Sequence, residues 1–65
     1  MQLVINGAPR QVSENLSITE LLVTLAIQGR LAVEVNGEIV PRSGFSAYYL
    51  TANDTVEIVK AIGGG

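Results

Sequence analysis

The chain has 65 residues, a formal net charge of −2 and 48% hydrophobic side chains, with neither cysteine nor histidine. That composition excludes disulfide staples and zinc sites built from those ligands, and four scattered basic residues do not form the clustered face that nucleic acid requires. A chain this short buries only about 60% of the surface its unfolded form exposes, so one domain with an aliphatic core is expected, its stability marginal.

Leu3-Val4-Ile5 is a short β-type run closed by Asn6-Gly7, a strong two-residue hairpin signal. The return strand is expected to begin at Gln11-Val12, with Pro9 in the turn region. In Leu16-Ser17-Ile18-Thr19-Glu20-Leu21, Ser17 and Glu20 have the spacing of a capping box, while Leu16 and Leu21 have that of a hydrophobic staple. Ile18, Leu21, Leu22 and Leu25 follow one helical face, which predicts burial of Leu22 and Leu25. Gly29 is the expected left-handed C′ residue, and Val23 and Ile27 point off the stripe.

Leu31 to Val35 reads as a third strand, Asn36-Gly37 as a second tight turn, and Glu38-Ile39-Val40 as the return, stopped by Pro41. Arg42 to Ala52 has no clear period, and its aromatics Phe45, Tyr48 and Tyr49 are expected to pack a crossover onto the core edge. Asn53-Asp54 supplies a turn, and Thr55 to Ala61 a last strand with Val56 and Ile58 on one face. The order β-β-α-β-β-β predicts an α+β roll, a mixed four- to five-stranded sheet wrapped around one main helix, with first and last strands parallel. The domain is expected over residues 1–61, followed by a flexible tail at 62–65.

The chemistry available to this chain is sparse. There is no thiol or imidazole, the single lysine, Lys60, sits in a strand-like run, and Glu34 and Glu38 flanking a turn read as solvated strand residues. The reading is a partner or substrate of enzymes and not an enzyme. Gly63-Gly64-Gly65 points the same way, because three glycines in a row at a chosen end arise by chance at roughly 0.03%. Lacking Cβ, such a segment is thin and can enter a channel too narrow for side chains. Its terminal α-carboxyl ionises near pKa ~3.3–3.7, so at neutral pH it is a carboxylate, a poor acyl donor until a leaving group is attached. Ala61 to Gly65 gives roughly 13–14 Å of reach when extended. Fixing three glycines costs on the order of 3–6 kcal/mol of backbone entropy, so the folded body should dock first. On the expected register Val4, Ala32, Val59 and Ala61 face away from the helix and form the candidate docking face.

The element order with its glycine end resembles the ubiquitin-like β-grasp fold, and within it the sulfur carrier proteins of thiamine biosynthesis, the ThiS family. The resemblance rests on Ile5-Asn6-Gly7, Ser17-Ile18-Thr19-Glu20-Leu21-Leu22, the run Val35 to Arg42, Leu50, Asp54 to Val59, and Gly63-Gly64-Gly65. Asn53 departs from the glycine common at that turn, and asparagine tolerates the positive φ the turn demands. The resemblance implies that Gly65 is adenylated by an E1-like enzyme using ATP and magnesium and converted to a thiocarboxylate. It further implies sulfur supplied by a cysteine desulfurase or similar donor, a thiazole synthase as acceptor, and Arg42 as a contact to a partner acid. The chain itself is expected to bind no cofactor or metal, to be monomeric alone, and to work in the cytoplasm away from membranes. The alternatives are a sulfur carrier for molybdopterin, tRNA thiolation or an amino-acid pathway, and a ubiquitin-like modifier or non-covalent module.

Overall fold

A computed structural model describes residues 1–60, whose sheet has the strand order β2-β1-β5-β3-β4. In chain order the elements are β1 (Gln2–Ile5), β2 (Ala8–Gln11), α1 (Ile18–Thr24), β3 (Leu31–Val35), β4 (Glu38–Val40), a 3-10 turn (Arg42–Gly44) and β5 (Thr55–Lys60). β5 lies at the centre, parallel to β1 and antiparallel to β3, which is the expected mixed β-grasp roll. Ala61, Gly63, Gly64 and Gly65, and with them the expected boundary between domain and tail, lie outside the described residues.

Both hairpins follow from their Asn-Gly pairs. Asn6 and Gly7 take φ of 49° and 83°, and Asn36 and Gly37 take 53° and 86°, the left-handed pair that matches strand twist. The first hairpin corrects one expectation, because the return strand begins at Ala8 and Pro9 lies inside it, opposite Val4. The reason is the pairing phase. Ile5 and Ala8 flank a two-residue turn and form a hydrogen-bonded pair, so the nitrogen of Pro9 points outward from the edge, where no ladder bond is lost. Val12 closes the far end, its N–H donating to the Met1 carbonyl at 2.9 Å. In the second hairpin Ile39 has the same outward phase on β4, and continuing the phase assigns it to Pro41. The chain's two prolines thus remove an outward donor at each edge of the sheet, which discourages pairing with another chain.

The start of α1 is fully accounted for. Ser17 Oγ accepts from the Glu20 N–H at 3.1 Å and Glu20 Oε1 accepts from the Ser17 N–H at 2.9 Å, the expected capping box. The remaining first-turn donors, Ile18 and Thr19, bond to the carbonyls of Tyr48 and Phe45 at 3.0 and 3.3 Å. The aperiodic stretch after β4 is therefore a strap whose carbonyls cap the helix. Of its aromatics only Phe45 is buried. Tyr48 and Tyr49 are 37% and 59% exposed, which corrects the expectation for that cluster, since backbone hydrogen bonds hold this part of the strap.

The helix ends earlier than expected. Ala26, not Gly29, is the left-handed C′ residue, at φ 57°. Its N–H donates to the Val23 carbonyl and that of Ile27 to the Leu22 carbonyl, both at 3.0 Å, the two bonds of a Schellman motif. Among the described residues the other positive-φ residues that are not glycine are all asparagines, which accept this conformation more readily. Left-handed backbone costs an ordinary residue about 1–2 kcal/mol, and the extra freedom glycine brings to the unfolded chain costs roughly 0.4–1 kcal/mol. Ala26→Gly should therefore stabilise the domain by about 0.5–1 kcal/mol, read as a higher urea midpoint; a lowered midpoint would contradict this cap.

The core is Leu3, Ile5, Ile18, Leu21, Val33, Val35, Val40, Phe45, Leu50, Val56 and Ile58. Leu22 and Leu25 only border it as half-buried residues, a correction to the predicted stripe, whose centre is Ile18 and Leu21. Val23 is exposed and Ile27 is half-buried.

Candidate functional site

The described chain ends at Lys60, at the end of the central strand, so the root of the glycine segment is held by sheet pairing on β3, where Lys60 opposes Leu31. β1 pairs with β5 only through Val4↔Thr55 and Ile5↔Val56 before it turns away. The side chain of Asn6 then continues the ladder. Its Oδ1 accepts from the Ile58 N–H at 2.7 Å and its Nδ2 donates to the Ile58 carbonyl at 3.2 Å. Asn36 acts similarly at the other end, accepting from the Thr55 N–H at 2.9 Å and donating to Asp54 Oδ1 at 3.0 Å. The two turn asparagines thus fasten β5 at its first residue, Thr55, and again at Ile58.

The helix covers one face of the sheet. On the other, Val4 is half-buried, Ala32 is exposed, and Val59, opposite Ala32, is 60% exposed. These three expected docking residues therefore share the uncovered face. Arg42 does not join them. It lies in the 3-10 turn after β4, and its guanidinium donates to the Gly29 carbonyl at 3.1 Å, tying the strap to the loop after the helix. Sequence reasoning missed Ile39, which is 71% exposed, and the meeting of Glu34 with Glu57 on the same face. The second hairpin alone fixes Glu34↔Ile39, so Ile39 was available as a signal; Glu34↔Glu57 needs the non-local pairing of β3 with β5.

Among the described residues no group of three or more acidic side chains could hold a metal ion, and no buried side-chain nitrogen or oxygen lacks a hydrogen-bond partner. No helix among them is long and apolar enough to cross a membrane. A groove between β1–β2 and the end of α1, lined by Ile5, Ala8, Leu25 and Ile27, offers Arg10 as its one charged group. What the arrangement can do is offer a sheet face open to another protein beside the central strand β5.

The ThiS family model matches residues 3–65. The crystal structure of the thiamine biosynthesis protein ThiS from Geobacter metallireducens superposes with a TM-score of 0.88 at 39% identity, covering 100% of both chains. A thiazole synthase of Paramagnetospirillum magneticum is 44% identical over 66 residues, which cover 100% of this chain and 20% of that protein, so this chain spans about a fifth of its length. The uncharacterized protein ycf40 of Porphyra purpurea is 40% identical over 62 residues, 94% of this chain and 87% of that protein.

Proposed function

This chain belongs to the ThiS family, and from that premise we propose that it is a sulfur carrier whose working group is the Gly65 carboxylate. A carboxylate oxygen attacks the α-phosphorus of ATP in an adenylating partner, pyrophosphate leaves, and an acyl-adenylate forms. Sulfide, released by a thiol reductant from a donor such as the persulfide of a cysteine desulfurase, then adds to the acyl carbon, gives up its proton and expels AMP, leaving a thiocarboxylate. The protein is a co-substrate in these steps, and the catalytic groups belong to its partners.

The observation that carries the reading is that the family match extends through Gly65, joined to a chain with no thiol or imidazole of its own. A thiazole synthase that contains a segment 44% identical to the whole of this chain supports thiazole formation as the destination of the sulfur. Joining two proteins in one polypeptide raises the local concentration of one for the other, which is useful when they meet in a reaction.

The test is intact mass after incubation with ATP, magnesium, an adenylating enzyme of this family's pathway and a sulfide source. One terminal oxygen should be replaced by sulfur, and loss of Gly65 should abolish the replacement. No replacement with a partner shown to be active on its own carrier would reject the carrier reading in favour of a non-covalent module, while conjugation to lysines would mark a modifier. Supplying the loaded protein to a reconstituted thiazole synthase then separates thiamine from molybdopterin or tRNA as destination.

A further inference from the structure

The asparagines of the chain, Asn6, Asn15, Asn36 and Asn53, all sit at positive φ, and Asn6 and Asn36 precede glycine. In an Asn-Gly pair the backbone nitrogen of the glycine can reach the side-chain carboxamide with little hindrance, because glycine has no Cβ to obstruct the approach. Asn15 and Asn53 precede leucine and aspartate, whose side chains obstruct it. Both turn glycines stand in the open, since a Cβ built on Gly7 or Gly37 would meet nothing within 4 Å. Among the described residues neither glycine N–H donates to a backbone carbonyl. The attacking nitrogen is available at both turns, and what separates them is how each carboxamide is held.

Asn6 is clasped by the interior of the sheet. Its Oδ1 and Nδ2 bond the N–H and carbonyl of Ile58 at 2.7 and 3.2 Å, partly buried on the central strand. Pulling this side chain away leaves both backbone groups of Ile58 short of a partner, at a position β1 no longer pairs with. Asn36 is held from outside. It accepts from the Thr55 N–H at 2.9 Å and donates to Asp54 Oδ1 at 3.0 Å, both exposed bonds whose groups water can satisfy. The second hairpin is also the shorter, with three strand pairs against four, and the first is closed further by the bond from Val12 to Met1. Local opening is easiest where few pairs and exposed bonds must break.

We propose that Asn36 is a site of spontaneous deamidation in the folded protein and that the clasp on Ile58 spares Asn6. With the second hairpin briefly open, the Gly37 nitrogen gives up its proton and bonds to Cγ of Asn36. The Cγ–Nδ2 bond breaks and Nδ2 leaves as ammonia, taking up that proton. Water then opens the resulting succinimide at either ring carbonyl, giving aspartate or isoaspartate at position 36. One water is consumed and one ammonia released, with no change of oxidation state. Aspartate at this position sets a carboxylate where a donor to Asp54 stood, so repulsion replaces a hydrogen bond. Isoaspartate adds a main-chain carbon to the two-residue turn that pairs Val35 with Glu38. None of these steps involves sulfur transfer, so deamidation and loading succeed or fail separately.

The test holds the full chain at mildly alkaline pH, folded and in parallel unfolded in urea. The mass gain from replacing –NH2 by –OH is followed over time and located by peptide mapping. In the folded chain Asn36 should convert at least roughly tenfold faster than Asn6, and in urea the two should convert at similar rates. Asp54→Ala removes the exposed acceptor of the Asn36 side chain, and it should speed conversion at Asn36 by a few-fold while leaving Asn6 unchanged. The converted chain, separated by anion exchange on its added negative charge, should unfold at a lower urea midpoint than the parent, as should Asn36→Asp. Equal rates at the two turns of the folded chain would mean that conversion runs through global unfolding, and the proposal would be overturned. Conversion confined to urea, or faster at Asn6 than at Asn36 in the folded chain, would overturn it as well.

Discussion

A chain lengthened by a single tryptophan after Gly65, and protected from trimming, should acquire no sulfur at all. The expected loss is complete because two requirements fail together. The carboxylate is displaced by one residue, about 3.3–3.6 Å along an extended chain, which removes it from the distance at which it can attack the α-phosphorus. On the proposed mechanism the indole would also have to enter a channel that admits Gly63-Gly64-Gly65 because those residues have no Cβ. Binding of the body should survive, since the uncovered sheet face is untouched. Affinity for the adenylating enzyme within a few-fold of the parent, with no oxygen-to-sulfur replacement in the intact mass, is the expected pair of results. Normal loading of the lengthened chain would show that the acid group is not selected by reach and thinness, and the proposed mechanism would fall. Gly64→Leu separates the two causes, because it keeps the carboxylate in register and adds only bulk.

Local chemistry made much of this fold legible before any coordinates. The Asn-Gly turns, the Ser17–Glu20 box and the alternation of Val56 with Ile58 each involve residues within a few positions of one another, and each stands in the structure as read. Asn53 also holds its turn with a φ of 71° in place of a glycine. The misreadings share a different cause. Gly29 was a reasonable helix stop, but Leu22 and Val23 accept the Schellman bonds one turn earlier, so Ala26 bears the strain. Pro9 looked like a turn residue because its strand's place at the sheet edge is a tertiary fact. The strap from Phe45 to Leu50 had no period because its role is set by carbonyls that meet the helix N-terminus, which no side-chain pattern encodes. On the uncovered face the exposure of Val59 was legible from alternation, and the opposition of Glu34 to Glu57 was not, because it requires the register of strands more than twenty residues apart.

Leu21→Ala should cost about 2–5 kcal/mol. Leu21 is fully buried, with no accessible surface, at the centre of the stripe that the sheet wraps. Removing three carbon atoms there loses both their transfer free energy and the contacts of whatever cavity remains. The consequence depends on the total. At roughly 0.05–0.15 kcal/mol per residue a 65-residue domain has about 3–10 kcal/mol in hand, so the substitution removes a large share and at the upper end leaves no folded state. Leu22→Ala and Leu25→Ala remove half-buried side chains and should cost clearly less, while Val23→Ala, at a position 75% exposed, should stay within about 0.5 kcal/mol of the parent. Urea midpoints measured on all four give the ranking directly. If Leu22→Ala proved as damaging as Leu21→Ala, the helix would present a different face to the sheet from the one the structure shows. The uncovered face, whose identity follows from which side the helix occupies, would then have to be redrawn as well.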